Sequence, residues 1–197
     1  IELKGNKSKW VSRGGDKLSH ALDSFYIDPC NLTALDVGAS TGGFSDVLLN
    51  RGVGKLFCVD VGYGQLDLKV RNDSRVIVLD RTNARYLDND KINIGIDLIT
   101  CDVSFISLTT ILPAVLKLTN SIAQLVALIK PQFEVGKEFV GKGGIVKDAH
   151  LHEQVCHRIT DWVNKQKHWV TISVIPSPIK GKNGNKEFLI FAKKAIY

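Results

Sequence analysis

The sequence predicts a doubly wound α/β domain, in which helices cover both faces of a mostly parallel β-sheet. Runs of β-type composition alternate along the chain with stretches of helical periodicity. Most of these runs are apolar throughout, as strands buried on both faces of a parallel sheet must be. The expected strands are residues 33–37, 55–61, 75–79, 96–101, 123–129, 169–175 and 187–192.

Helical patterns and the end of the chain complete the predicted fold. Residues 176–185 join the last two predicted strands without a helical pattern, so these strands should be antiparallel and the last strand reversed. Asp148 is the expected N-cap of the last helix. The expected helices are residues 14–26, 43–50, 66–71, 108–119 and about 147–164.

Composition and charge limit the class of protein. The 197 residues are 44% hydrophobic, which suits one well-packed domain, and the net charge of +6 mildly favours a polyanionic partner. Four widely spaced cysteines without a C-x-x-C pair indicate reduced thiols. The longest apolar run, from Ile122 to Ile129, is too short to cross a membrane, and the N-terminus carries no leader pattern. We therefore expect a cytoplasmic protein without membrane association.

The first twelve residues differ from the rest of the chain. Lys4, Lys7 and Lys9 alternate with glycine, asparagine and serine, a pattern typical of a basic linker. The chain contains no methionine and begins at Ile1, so we expect it to be a piece of a longer protein. Residues 1–12 are therefore predicted to be the remnant of a missing upstream module, and residues 13–197 the domain itself.

A glycine-rich turn follows the first predicted strand. In the stretch from Leu35 to Phe44, Gly38 lets the chain reverse, while Gly42 and Gly43 bring backbone N–H groups and a helix N-terminus to a ligand. Asp60 lies about one βαβ half-unit further on, where a carboxylate can bind two ribose hydroxyls, although an N-cap role is equally compatible. The turn lacks the Gly-x-Gly-x-x-Gly pattern of dinucleotide sites, so S-adenosylmethionine is favoured over NAD.

Charged residues lie at the carboxyl ends of five predicted strands, which is the edge where open α/β sheets bind ligands. Two of them, Asp102 and Lys130, end neighbouring strands and should meet at that edge. A lysine held there by a carboxylate can act as a general base, and a structural ion pair is at least as compatible with the spacing. The five residues are Asp36, Asp60, Asp80, Asp102 and Lys130.

Two further groups of residues have competing interpretations. The first group lies on one predicted helix with irregular spacing. A solvated helix surface is therefore favoured over a zinc site, and no metal is expected. The group consists of His150, His152, Cys156 and His157. The three tryptophans could stack on nucleobases, although isolated aromatic residues more often pack in the core or at its rim: Trp10, Trp162 and Trp169.

Five segments in a fixed order resemble the TlyA family, the haemolysin-A-like branch of the FtsJ-type ribosomal RNA 2′-O-methyltransferases. The match runs from about Ser12 to the end of the chain. The resemblance implies a Rossmann-like, S-adenosylmethionine-dependent methyltransferase sheet. Members of this family carry an S4-type RNA-binding domain ahead of that sheet, and only a short basic segment precedes Ser12 here. The five segments are 12–18, 36–44, 101–107, 128–134 and 184–188.

The resemblance also implies a catalytic tetrad of Lys17, Asp102, Lys130 and Glu187, with no member substituted. In that scheme Lys130 removes the proton from a ribose 2′-hydroxyl. Asp102 and Lys17 set the protonation and position of Lys130, while Glu187 orients the lysines and the ribose. The cofactor residues that the resemblance implies are Asp36, Gly38, Ser40, Gly42, Gly43, Phe44, Asp60, Val61, Asp80 and Asp102.

These observations predict an enzyme that methylates ribose 2′-hydroxyls, with cytidine implied by the resemblance, in ribosomal RNA or ribosomal particles. The basic linker and two lysine-rich loops, 137–147 and 180–186, would face the phosphates. One alternative is a membrane-active haemolysin, which has no spanning segment or strongly amphipathic basic helix to support it. Another is a non-catalytic RNA-binding module, which the complete tetrad disfavours.

Overall fold

The computed structural model describes residues 9–195, and within them one seven-stranded sheet runs through the domain. Residues 1–8 of the predicted basic linker lie outside the described residues. The strands are β1 (Thr33–Val37), β2 (Lys55–Val59), β3 (Val76–Leu79), β4 (Ile96–Cys101), β5 (Thr119–Ile129), β6 (Trp169–Pro176) and β7 (Phe188–Ala195).

The strand order is β3-β2-β1-β4-β5-β7-β6. The pairs from β3 through to β5 are all parallel, whereas β7 is antiparallel to both of its neighbours, β5 and β6. The prediction of a mostly parallel sheet with a reversed last strand is therefore confirmed. Because β1 and β4 lie side by side at the centre, the loops that follow them meet at one edge of the sheet.

Helices cover both faces of this sheet, as a doubly wound domain requires. On one face Leu18 and Leu48 belong to a buried cluster, and on the other Leu112 and Ile159 belong to a second. Both clusters use alternate side chains of the same strands, which explains why most strand sequences are apolar throughout. The helices are α1 (Gly14–Ser24), α2 (Gly43–Asn50), α3 (Leu68–Arg71), α4 (Leu108–Leu116), α5 (Pro131–Glu134) and α6 (Ala149–Asn164).

Two predicted boundaries are wrong around the centre of the chain. The helix expected to reach residue 119 ends at Leu116, and β5 begins at Thr119 rather than at residue 123. The early start occurs because Thr119 pairs with Ile96 of β4 and Ile122 pairs with Ala195 of β7. Pairing of β5 with the neighbouring strands β4 and β7 extends the strand over polar residues, whose composition does not predict a strand.

The segment just before α1 packs against the domain. Trp10 is 9% exposed and belongs to the core cluster on the α1 face, so core packing is the correct interpretation for this tryptophan. A Cβ on Gly15 would lie 2.3 Å from the Trp10 ring, so only glycine fits beneath it. The Val11 amide also donates to Asp46 Oδ2 at 3.0 Å. Residues 10 and 11 thus belong to the folded unit and not to a separate linker.

The remaining sequence-based expectations concern thiols and membranes. All four cysteines are free, and Cys58 and Cys101 are buried while Cys30 is exposed. Burial raises the pKa of Cys58 to about 12, so this thiol stays protonated. Within residues 9–195, no helix combines the length and the apolar character needed to cross a bilayer.

Candidate active site

The glycine-rich turn between β1 and α2 forms the floor of the candidate site. Gly38 has a φ of +80°, and a Cβ there would lie 2.7 Å from the backbone oxygen of Asp102. Gly43 is equally constrained, because a Cβ would lie 2.2 Å from Ser12 Oγ and 2.9 Å from the Gly15 nitrogen. The two glycines therefore let this turn approach the end of β4 on one side and the start of α1 on the other.

Asp36 lies beneath this turn and not at its surface. Its side chain is fully buried and accepts hydrogen bonds from Ser45 Oγ at 2.6 Å and from Thr100 Oγ1 at 3.0 Å. Burial raises the pKa of Asp36 to about 7, and the two hydroxyl donors only partly oppose this effect. The expectation of direct cofactor contact therefore needs correction: this carboxyl supports the turn from below.

Asp60 follows β2 and faces the turn from the neighbouring strand. Its Oδ2 accepts from the Ser40 amide at 2.8 Å, and its Oδ1 accepts from the Gly62 amide at 2.8 Å. Each oxygen keeps a second lone pair, so the carboxylate can still accept from two ligand hydroxyls. The same contacts fix the carboxylate and shape the backbone of both adjoining loops.

A cleft of about 480 Å³ opens along Asp60 at the carboxyl edge of the sheet. Its volume and mixed lining suit an adenosine-sized ligand, with apolar side chains for a flat base and Asp60 for a ribose. Because the lining combines an apolar wall with the Asp60 carboxylate, the cleft fits the adenosine part of S-adenosylmethionine. The lining includes Val37, Gly38, Ser40, Asp60, Val61, Ala84, Asp102 and Ile106.

Three other expected cofactor residues lie in different surroundings. Asp80 follows β3, but its Oδ2 lies 2.6 Å from Arg71 Nη2 and accepts from the Gly64 amide at 3.3 Å, and Asp80 is not among the residues that line the cleft. The hydrogen bond from Arg71 lowers the pKa of Asp80. Gly42 is the left-handed N-cap of α2, and Phe44 is buried beside Gly14.

A second cleft, of about 640 Å³, adjoins the first and contains three of the four tetrad residues. The two clefts share residues of the turn and of the loop after β4, so a ligand in the first cleft would extend towards the second. The residues that the family resemblance implies as catalytic thus lie in the cleft next to the one that suits an adenosine-sized ligand. The lining includes Arg13, Lys17, Gly38, Ser40, Phe44, Asp102, Ser104 and Lys130.

The tetrad forms two ion pairs. Lys17 Nζ lies 2.5 Å from Glu187 Oε2, and both side chains are less than one tenth exposed. Lys130 Nζ lies 2.6 Å from Asp102 Oδ1 and donates to Ser104 Oγ at 2.9 Å. The structure therefore pairs each lysine with one carboxylate. The pair of Lys130 and Asp102 joins the ends of β5 and β4, and the pair of Lys17 and Glu187 joins α1 to the start of β7.

The contact between Lys130 and Asp102 is close but poorly aligned. Asp102 Oδ1 is buried and has no hydrogen bond that meets normal geometry, although the Lys130 ammonium lies 2.6 Å away. A buried acceptor without an aligned donor is uncommon in folded proteins. The contact of Lys130 on the Asp102 carboxylate is therefore an ion pair and not an aligned hydrogen bond, and the carboxylate keeps capacity for a donor that enters the cleft.

Several residues at the site were not singled out from the sequence as site residues. Ser104, in the loop after β4, holds the Lys130 ammonium. Phe105 is 89% exposed with a φ of +65°, and its ring centroid lies 4.9 Å from that of Phe133. Glu134 is buried against the start of α4. All lie within the segments that carry the family resemblance, but none has a charge pattern or spacing that separates it from an ordinary loop residue.

The histidine-containing helix α6 does not present all of its polar residues to solvent. His152 is only 5% exposed, and its Nε2 lies 2.8 Å from the backbone oxygen of Val146. The expected solvated surface is therefore correct for His150 and His157 and wrong for His152. Among the described residues, no three histidine, cysteine or acidic side chains come together as metal ligands would.

Comparison with known proteins gives consistent relationships. A model of the FtsJ-like methyltransferase family matches residues 10–194. The chain is 46% identical to the 16S/23S rRNA (cytidine-2'-O)-methyltransferase TlyA of Mycobacterium tuberculosis, over 93% of this chain and 68% of that relative. It is 43% identical to Hemolysin A of Brachyspira hyodysenteriae, over 92% of this chain and 75% of that relative. A solved structure of a proposed hemolysin from Streptococcus thermophilus has a TM-score of 0.91 at 42% identity, over 98% of this chain and 70% of that chain.

These matches agree with the clefts and the tetrad described above. The family model covers nearly the whole described chain, and both curated relatives exceed 40% identity. The predictions of a TlyA-like methyltransferase and of S-adenosylmethionine as its cofactor are confirmed. The chain belongs to the FtsJ-like methyltransferase family.

Proposed function

We propose that this chain is a cytoplasmic enzyme that uses S-adenosylmethionine to methylate the 2′-hydroxyl of a cytidine in ribosomal RNA. The observation that carries the proposal is the position of Lys130 and Asp102, which line the cleft that adjoins the cofactor site. The cytidine and the ribosomal substrate are taken from the printed activity of the Mycobacterium tuberculosis relative.

Proton removal is the task that the protein must perform. A ribose hydroxyl is a weak nucleophile at neutral pH, and S-adenosylmethionine, when bound, supplies an electrophilic methyl group. Lys130 in its neutral form accepts the hydroxyl proton as the oxygen attacks. Asp102 and Ser104 hold the Lys130 nitrogen from two directions, which leaves its remaining position for the hydroxyl. A positioned general base of this kind typically contributes about 10²- to 10⁴-fold in rate.

Lys17 and Glu187 support the reaction from the other side of the cleft. Lys17 lines the same cleft as Lys130, and Glu187 is only 4% exposed and pairs with Lys17. Lys17 therefore supplies a positively charged hydrogen-bond donor at the cleft that contains Lys130. Glu187 fixes Lys17 so that this charge stays beside the cleft.

The two lysine-rich loops are joined near the active site and together suit an RNA backbone. Asn183 Nδ2 donates to the backbone oxygen of Gly143 at 3.1 Å, and Asn185 Nδ2 donates to that of Gly144 at 2.8 Å. These bonds hold the loop 137–147 against the connection that precedes Glu187. Exposed lysines on both loops then form one basic surface for phosphates: Lys137, Lys142, Lys147, Lys180 and Lys186.

The exposed ring of Phe105, which packs on the half-buried ring of Phe133 near Lys130, offers a surface for a nucleobase. Phe105 and Phe133 are in ring contact, and the Lys130 ammonium lies 6.0 Å from the Phe133 ring centroid. Proteins that recognise unpaired bases stack them on such rings. Phe105 lines the first cleft and Lys130 lines the second, and the two clefts adjoin, so a nucleobase placed on Phe105 would bring its ribose towards Lys130.

Membrane lysis is the alternative that two relatives' names suggest. A leakage assay on lipid vesicles tests it directly. Strong release of a trapped dye at nanomolar protein would favour lysis, whereas release only at protein concentrations that cause non-specific adsorption would not. The leakage assay and the methyl-transfer assay measure different activities, so the two can succeed or fail independently.

Methyl transfer to ribosomal particles is the decisive experiment for the proposal. The chain is incubated with labelled S-adenosylmethionine and with intact ribosomes, separated subunits or protein-free ribosomal RNA, and the modified position is mapped. Incorporation at a ribose 2′-oxygen of a cytidine is the expected result. Calorimetric titration with S-adenosylmethionine runs beside it, and a folded protein that neither binds the cofactor nor transfers methyl would contradict the proposal.

A further inference from the structure

Glu134 links the segment that follows Lys130 to the segment that follows Asp102. It ends the short helix α5, which follows Lys130 directly, and it is 8% exposed. Its Oε1 accepts from the Leu108 amide at 2.8 Å, and its Oε2 accepts from Ser107 Oγ at 2.8 Å. Ser107 is the N-cap of α4, so Glu134 caps that helix from a different segment of the chain.

Arg158 of α6 holds Glu134 from the opposite side. Its Nη2 donates to the backbone oxygen of Glu134 and lies 3.4 Å from Oε2. Burial raises the pKa of Glu134, while the Leu108 amide, Ser107 and Arg158 favour its ionised form. A largely buried carboxylate that uses both oxygens on the protein is a fixed structural link and not a ligand-binding group.

These contacts close a ring around the candidate base. The chain runs from Asp102 to Ser107, crosses to Glu134 through hydrogen bonds, returns along α5 to Lys130, and closes through the ion pair between Lys130 and Asp102. The ring matters because the two strand ends are staggered. Cys101 pairs with Ala127, so Lys130 lies beyond the paired part of the ladder and its backbone is not held there by β4.

We propose that Glu134 is a positioning residue for methyl transfer, which sets the separation between Lys130 and Asp102 by holding α5 against the start of α4. The inference rests on the proposed function, in which Lys130 is the base. It assigns Glu134 no contact with substrate or cofactor. A misplacement of about 1 Å in a catalytic group can cost on the order of 100-fold in rate, so loss of this link should act mainly on kcat.

The test compares two substitutions at the same position. Glu134→Ala removes both acceptors, and kcat for methyl transfer to ribosomal particles should fall at least tenfold while KM for both substrates stays within threefold. Glu134→Gln keeps an acceptor for the Leu108 amide and a polar partner for Ser107, so kcat should recover to within threefold of wild type. Wild-type kcat in folded Glu134→Ala, or equal loss in both variants, would overturn the inference.

A matched control separates positioning from loss of a helix cap. Asp148 caps α6 by accepting from the His150 amide at 2.9 Å, and it lines neither of the two clefts. Asp148→Ala should lower the melting temperature and leave kcat unchanged. If Glu134→Ala does not fold, Ser107→Ala replaces it in the test. This variant removes the hydrogen bond from Ser107 to Glu134 and keeps the one from the Leu108 amide to Glu134. An unchanged kcat in Ser107→Ala would then contradict the inference.

A crystal structure of the Glu134→Ala or Ser107→Ala variant gives a readout that needs no activity. The separation of Lys130 Nζ from Asp102 Oδ1 should increase from 2.6 Å to beyond ion-pair distance. An unchanged separation would overturn the inference even if wild type proved inactive. Absence of methyl transfer by wild type would instead contradict the proposed function, so the two failures are distinguishable.

Discussion

Lys17 and Glu187, which are 170 positions apart in the chain, form a buried ion pair of 2.5 Å beside the candidate active site. The pair joins α1 to the start of the reversed strand β7. Neither residue could hold its charge in this position alone, because an unpaired buried charge costs several kcal/mol. The arrangement makes the tetrad sensitive to small changes in the backbone that surrounds Glu187.

Gly181 provides the sharpest test of that sensitivity. Its φ of −68° is open to any residue, but a Cβ would lie 1.9 Å from Glu187 Oε1. Gly181→Ala should therefore displace Glu187 from Lys17 and reduce kcat at least tenfold, with cofactor affinity within about twofold. Kinetics and calorimetry measure the two quantities.

Gly95→Ala is the matched control for that substitution. A Cβ on Gly95 would lie 1.7 Å from the exposed Asn120 side chain, at the opposite end of β4 from the tetrad. This variant should keep wild-type kcat. Equal activity in the two alanine variants would show that the contact between Lys17 and Glu187 is dispensable.

Replacement of Lys130 by alanine should strongly reduce methyl transfer to ribosomal RNA. The expected loss is about 10²- to 10⁴-fold, since the variant lacks the proposed base, while affinity for S-adenosylmethionine stays within a few fold. Lys194→Ala is the control, because Lys194 donates to Thr119 Oγ1 at 3.0 Å at the far end of β5. Retained activity in Lys130→Ala would place the base elsewhere.

Asp60 should determine cofactor affinity and not the chemical step. In Asp60→Asn an NH2 group replaces one carboxylate oxygen, and its nitrogen cannot accept a hydrogen bond from the Ser40 or the Gly62 amide. The substitution also removes the negative charge that the ribose hydroxyls would contact. Cofactor binding should weaken roughly 10- to 100-fold, in line with loss of a hydrogen bond to a charged group. Calorimetry gives the affinity, and kcat at saturating cofactor should stay within about threefold.

A second carboxylate, Asp73, serves as the control for Asp60. It contacts Arg75 at the start of β3, outside both clefts. Asp73→Asn should leave cofactor affinity unchanged. Comparable weakening by the two variants would mean that the effect of Asp60→Asn is one of general stability.

Asp36 should make the stability of the fold depend on pH. Its carboxyl ionises near pH 3.8 in an unfolded chain and near pH 7 in the fold, where burial disfavours the charge. The stability that protonated Asp36 contributes is complete below about pH 4 and is lost as the pH rises to about 7, a difference on the order of 4 kcal/mol.

Asp36→Asn removes this titration. Relative to wild type, the free energy of unfolding of the variant should rise between pH 5 and pH 8, as measured by urea denaturation at several pH values. Parallel pH profiles for the two proteins would show that Asp36 stays ionised in the fold. The comparison needs no substrate and so is independent of the proposed function.

Phe105 should matter for RNA and not for stability. Its φ of +65° is unfavourable for a bulky side chain, so Phe105→Gly relieves strain and should leave the free energy of unfolding within about 1 kcal/mol. Loss of the stacking surface should lower kcat/KM for ribosomal RNA about tenfold or more. Methyl-transfer kinetics measure this loss.

Tyr26→Gly is a close control for Phe105→Gly. Tyr26 is 95% exposed with a φ of +54°, and it follows the end of α1 that lies farthest from the cleft. This variant should have wild-type kcat/KM. A similar loss in both variants would indicate an effect of the new glycine on the backbone and not of the missing ring.

Much of the fold follows from local patterns. The apolar strand runs, the left-handed glycines and the cap at Asp148 are properties of short segments, and the structure has each of them in place. The start of β5 was mispredicted because Thr119 and Ile122 are ordered by partners on other strands. Trp10 and His152 have ordinary local surroundings, and only their packing partners decide that they are buried.

The sequence by itself determined the type of sheet, the glycine-rich turn and the charged residues that end its strands, because periodicity and residue type act over a few positions. Only the tertiary structure decided which lysine meets which carboxylate, that Asp36 lies beneath the turn, and that Glu134 links the segments that follow β4 and β5. Those relationships depend on contacts across tens of residues. Burial and distance are properties of the packed chain, and no local pattern encodes them.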